Sequence, residues 1–195
     1  MKNRLFFFGV PMLICCTWLQ TNVITSVRTS VNFLSADTIP KPSVVIEEVD
    51  VDSIQCLVIR DTLSSLSDLT YRIGKHFYRM YDFLADNKMK PGRSMTFYVT
   101  DKPPFIFEAG IEIFKIPVQF DEGMHVRKLP AGHAIVAHYT GPYETINIAY
   151  ETLFSWQRQH PKEKAGLMFE VYVNDPVVIK NPYQLKTDVF VMLFH

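Results

Sequence analysis

Cysteine is scarce in this chain of 195 residues. Two of its three cysteines are adjacent, Cys15 and Cys16, and only Cys56 lies in the body of the sequence. One thiol cannot close an internal disulfide, so the fold must stand on its apolar core. In "SIQCLVIR" Cys56 reads as a packed strand residue, not a reactive one. An excess of either charge is also missing: 20 basic side chains face 20 acidic ones. Without a basic run or a helix-turn-helix pattern there is no electrostatic footprint for nucleic acid, which is not expected as a partner. No cluster of His, Cys, Asp and Glu has ligand spacing, and His133 and His138 stand an odd number apart on one strand, so they face opposite ways. Neither a metal nor a cofactor is expected. No Ser-His-Asp arrangement is legible, and Ser155 has no nucleophile-elbow context.

What is present begins with an apolar start. "MKNRLFFFGVPMLICCTWLQTNVI" puts Lys2 and Arg4 ahead of an uncharged stretch from Leu5 to Leu19. A basic flank before such a stretch is the pattern of a secretory signal peptide or of a membrane anchor, and Pro11 argues against a buried core helix. Retained from Leu5 to Ile24, the segment has about the length a bilayer core requires, with the basic end cytoplasmic and the domain outside. Cys15 and Cys16 stand where a bacterial lipoprotein carries its lipidated cysteine, but no small residue precedes them. Residues 1–24 are thus expected to export or anchor the chain. Residues 25–43, rich in Ser, Thr and Asn with Pro40 and Pro42, are expected to be a linker.

With 48% of the whole chain hydrophobic, the remainder suits one domain over 44–195 with halves of about 44–121 and 122–195, expected to be monomeric. Periodicity predicts strands at 53–61, 94–100 and 111–119 around a helix at 66–86. It then predicts strands at 125–140, 168–174 and 187–194 around a helix at 142–159. The first helix carries Leu66, Leu69, Ile73, Phe77, Met80 and Leu84 on one stripe; the second carries Ile146, Ala149, Leu153 and Trp156. Both halves spell β-α-β-β, and fragments recur. "YVTD" from Tyr98 returns as "YVND" from Tyr172, "EIF" ending at Phe114 as "DVF" ending at Phe190, and "CLVI" from Cys56 as "AIVA" from Ala134. The fold class that follows is α+β: a tandem duplication with pseudo-two-fold symmetry, one antiparallel sheet and two main helices. The seam between the halves is a natural place for a pocket.

Leu129-Pro130-Ala131-Gly132, Gly141-Pro142-Tyr143, Trp156 and Glu170-Val171-Tyr172 occur in order, with "VTDKPP" and "IEIFKIPV" in the first half. In these features residues 44–195 resemble the GyrI-like small-molecule-binding domain, the effector-binding module of AraC-type and multidrug-sensing regulators. The resemblance implies a non-catalytic binder that takes small hydrophobic, often cationic, molecules into an aromatic-lined cleft, with a strand glutamate matched here by Glu170. Alternation puts Glu170, Tyr172 and Asn174 on one face and Phe169, Val171 and Val173 on the other, the latter expected against the helices. Tyr172, Tyr143, Trp156, Tyr71 and Tyr78 complete the candidate ligand contacts. As an alternative, the resemblance allows a hydrolase of electrophilic small molecules with Glu170 as base and Tyr172 or Tyr143 as donor. A membrane-anchored protein-interaction module is a third. No DNA-binding segment accompanies the domain, and an export segment sits badly with inhibition of gyrase. Gly141-Pro142 reads as the joint between strand and helix, where Glu144 would repel a phosphate.

Overall fold

The computed structural model describes residues 40–100 and 102–194, which belong to one compact unit. The expected export or anchor segment, residues 1–24, and most of the expected linker lie outside the described residues. Among those described, no helix is long and apolar enough to cross a membrane.

Eight strands and two helices follow in the order β1 Ser43–Val51, β2 Ile54–Leu63, α1 Leu69–Asp86, β3 Pro91–Tyr98, β4 Phe105–Ile113, β5 Met124–Leu129, β6 Gly132–Thr140, α2 Asn147–Gln159, β7 Lys164–Tyr172 and β8 Lys186–Phe194. The sheet is antiparallel throughout, in the order β1-β6-β8-β7-β3-β4-β2-β5. Exchanging β1 with β5, β2 with β6, β3 with β7 and β4 with β8 reverses that order onto itself. The fold class is the duplicated α+β arrangement the sequence implies.

Each half has one strand more than expected. Residues 43–51 form β1, where the sequence suggests the end of a linker and the start of the domain. Its Glu47, Glu48 and Asp50 give it the polarity of a loop, yet as an edge strand it needs only one apolar side. The expected strand 125–140 is two strands, interrupted at Pro130-Ala131. Val51 faces Gly132 and Ile54 faces Leu129, so β1-β6 and β2-β5 share one register and form a single bent ribbon. The strand expected at 111–119 is β4, which spans 105–113, and the chain turns away before Pro117. Register also corrects one repeat match. Cys56 pairs with Glu112 and its mate Ala134 with Met192, so Glu112 corresponds to Met192 and not to Asp188.

Both faces of the sheet are buried. On one, α1 covers Leu57, Ile59, Ala109 and Ile111, and α2 covers Ile135, Ala137, Val189 and Val191. On the other, Cys56, Val58, Met95, Phe97, Ala134, Phe169 and Val171 pack together from both halves. Cys56 is fully buried there, and burial, with Glu112 adding, pushes its thiol up to about 12, the state of an inert packing residue. Glu108 lies on this face too, held by Arg127 and by Arg60 Nη1 at 3.7 Å, with Arg127 stacked over Phe97.

The helix ends have local causes. Ser65 caps the 3-10 turn Leu66–Asp68 that leads into α1. At the other end Lys88 takes a positive φ of 53°, while Lys88 N–H bonds Ala85 O and Met89 N–H bonds Leu84 O, a Schellman closure without glycine. The second helix, expected from 142, begins at Asn147 after a 3-10 turn at Tyr143–Thr145. Gly141 is needed at that joint because a Cβ there would sit 2.5 Å from Tyr139 Oη.

Candidate ligand site

The strip of sheet between the two helices is formed by the central pair, β3 and β7. Thr96 lies opposite Glu170 in that pair, Ser94 opposite Tyr172, and Tyr98 opposite Met168. Tyr98 and Tyr172 are repeat mates, so the pseudo-dyad runs between Thr96 and Glu170, and the carboxylate stands at the seam of the duplication.

Glu170 is 5% exposed. Its Oε1 accepts a hydrogen bond from Tyr150 of α2 at 2.5 Å, and its Oε2 one from Tyr172 at 2.9 Å. Tyr98 stands near the carboxylate, and Thr96 Oγ1 lies 3.1 Å from Tyr172 Oη. Burial pushes the Glu170 carboxyl above the ordinary carboxylate range, and hydrogen bonds from Tyr150 and Tyr172, with Tyr98 beside them, draw it part of the way back. The same burial, with the neighbouring Glu170 charge, raises Tyr98, Tyr150 and Tyr172 well above the usual phenol value. All three are therefore protonated donors at neutral pH. Two further rings stand edge-on to Tyr172: Phe77 of α1 at 5.7 Å and Tyr143 at 5.9 Å between centroids. Among the described residues no cation pairs with Glu170, and no group of three or more His, Cys, Asp and Glu could hold a metal ion.

Of the six residues expected from sequence, the structure brings Glu170, Tyr172 and Tyr143 together. Trp156 is elsewhere: it stacks on His160 at 4.1 Å and packs over the α2 core. Tyr71 and Tyr78 lie on the outer side of α1, 72% and 69% exposed. The strand alternation is as expected, but its orientation is reversed. Glu170 and Tyr172 face the helices, while Phe169 and Val171 belong to the core on the opposite side, because that face is also closed. Tyr98 and Tyr150 are not among the expected contacts, although the sequence carries signals for both. Tyr98 heads the repeated "YVTD", and Tyr150 lies between Ile146 and Leu153 on the inner stripe of α2.

The model of the family described as "GyrI-like small molecule binding domain" matches residues 45–193. No curated protein matches the sequence. Among solved structures, the EcmrR C-terminal domain superposes with a TM-score of 0.63 at 13% identity, covering 78% of this chain and 98% of that one. EcmrR in its DNA complex gives 0.65 at 12% identity, and the match, over 78% of this chain, spans 57% of the longer EcmrR chain. SAV2435 bound to tetraphenylphosphonium gives 0.55 at 11% identity over 77% and 94% of the two chains. A hydrolase from Listeria innocua gives 0.53 at 10% identity over 80% and 92%. At these identities the structures share the fold.

Proposed function

The chain belongs to the GyrI-like small-molecule-binding family, and on that premise we propose that it binds bulky hydrophobic cations against Glu170, between α1 and α2. The observation that carries the proposal is a contrast between two glutamates. Glu108 and Glu170 are the buried carboxylates among the described residues. Glu108 has Arg127 and Arg60; Glu170 has only hydroxyl groups. Burying an ionised carboxylate without a counter-charge is costly, and a bound organic cation removes that cost. Tyr172, Tyr143, Phe77 and Tyr98 offer such a cation aromatic surface beside the charge.

The site is closed over Glu170, so a ligand has to part it. The structure of SAV2435 with tetraphenylphosphonium supports the choice of ligand class. The domain's place outside the cytoplasm, exported or held at a membrane, is part of the same proposal and is supported by Lys2, Arg4 and the apolar run after them. Calorimetry with tetraphenylphosphonium beside neutral triphenylphosphine oxide tests the cationic preference. Saturable binding of the cation at least tenfold tighter than the oxide is expected, and equal affinities would refute it.

A further inference from the structure

A second polar cluster lies on the helix-bearing face, on the α1 side. Arg72 Nε and Nη2 donate to the two oxygens of Asp61 at 2.7 Å each, and His76 Nε2 lies 2.6 Å from Asp61 Oδ2. Burial by itself would raise the Asp61 carboxyl, but bonds from Arg72, His76 and the Thr62 N–H outweigh it and hold the group far below the usual range. Asp61 is thus an acceptor for the Nε2 proton, which leaves Nδ1 as the ring's other polar atom, an acceptor wherever it carries no proton of its own. His76 is only 7% exposed, and Nδ1 is buried with no hydrogen-bond partner among the described residues. A buried polar atom left unpaired is costly, and a leucine would avoid that cost.

The duplication provides an internal control. Asp61 corresponds to Tyr139 in the ribbon register. In the second half, the hydroxyl of Tyr139 meets Thr145 Oγ1 at 2.6 Å and Pro142 O at 2.7 Å. Thr145 precedes Ile146 as Arg72 precedes Ile73, which sets His76 against Ala149, a fully buried residue. One half fills this place with satisfied, uncharged groups. The fold itself therefore requires neither Asp61 nor His76.

The place adjoins the ligand site. The His76 ring packs on Phe107 with centroids 6.1 Å apart, and Phe107 pairs with Asp61 on one side and with Tyr98 on the other. Three neighbouring strands put Asp61 and Tyr98 about 10 Å apart. Phe77, next to His76 in α1, packs on Tyr172.

We propose that His76 is a second polar contact of the ligand site, its Nδ1 accepting a hydrogen bond from a hydroxyl or N–H group of the bound molecule, with Asp61 and Arg72 as positioning residues. The proposal rests on taking Glu170 as the ligand's counter-charge, and it narrows the ligand class to bulky cations that carry a donor group. The test compares a tetraarylphosphonium bearing one phenolic hydroxyl with its methyl ether, on the full chain and on His76→Leu and Glu170→Gln. Wild type should bind the phenol about tenfold tighter than the ether, His76→Leu should bind both alike, and Glu170→Gln should weaken both together. An absent phenol preference in wild type, or one that survives in His76→Leu, overturns the proposal. If wild type binds neither cation, the reading of Glu170 fails by itself. Neutral phenol against anisole then decides for His76: phenol-specific shifts of its ring resonances support the contact, and their absence removes it. Should His76→Leu not fold, His76→Phe, which keeps a ring against Phe107 but has no acceptor, takes its place.

Discussion

Thr96 and Glu170 face each other across the central β3–β7 pair, and the two halves of the duplication are related about the line between them. A duplicated fold offers equivalent positions in pairs, but at its axis the two mates become neighbours. Here one mate is a threonine and the other a carboxylate. The result is one buried carboxyl group, a charge once its proton is lost, that both halves surround: Tyr98 and Phe77 from the first, Tyr172, Tyr150 and Tyr143 from the second.

That charge should be visible in the pH dependence of stability. The Glu170 carboxyl is raised in the folded state, so its contribution is fully present below the unfolded value and is lost as pH rises through the folded one. Each unit of the rise is worth about 1.4 kcal/mol. Thermal melts of the ligand-free protein should show Glu170→Gln more stable than wild type at neutral pH. The gap should close below about pH 4, near the ordinary glutamate value. A wild type that remains the more stable at neutral pH would show that the tyrosine hydrogen bonds outweigh desolvation.

Tyr150→Phe removes the 2.5 Å hydrogen bond to Oε1. A bond to a charged acceptor is worth about 1.5–3 kcal/mol, so urea unfolding should show a loss of that order at neutral pH and a smaller loss in acid. A loss independent of pH would mean that Tyr150 acts by packing alone.

The buried pair on the opposite face should behave differently. Arg127→Met leaves Glu108 with only Arg60 at 3.7 Å and should destabilise by about 3 kcal/mol or more. Adding Glu108→Leu should recover most of that loss, since replacing both partners by apolar groups is often neutral. Denaturant midpoints of the single and double variants check this.

Much of the architecture is legible in the sequence itself. Helix stripes at 66–86 and within 142–159, the repeat, and the family signature at Gly141-Pro142-Tyr143 and Glu170-Val171-Tyr172 lead to the duplicated α+β fold and to Glu170. The orientation of β7 is not legible. Alternation separates Glu170 from Phe169, but a sheet buried on both faces gives apolar residues to each side, so hydrophobicity cannot say which set meets the helices. Edge strand β1 is hidden by its acidic residues, and Tyr71 and Tyr78 share the residue type of the tyrosines around Glu170 while pointing outward.

The joint at Gly141 has its own prediction. A methyl group there would press on Tyr139 Oη, whose bonds to Pro142 O and Thr145 hold the turn before α2. Gly141→Ala should lower stability by about 2 kcal/mol, within the range for backbone-crowding substitutions. Gly74→Ala, in open space on α1, should be neutral or slightly stabilising by the same measurement.

Glu170 as the counter-charge for a hydrophobic cation is the claim on which the rest depends. Calorimetric titration of the full chain with tetraphenylphosphonium at neutral pH, wild type beside Glu170→Gln, puts it to the test. Saturable binding should be weakened at least tenfold in the glutamine variant, and wild-type affinity should fall as acid protonates Glu170. Equal affinity in the two proteins, unchanged by pH, would rule that role out.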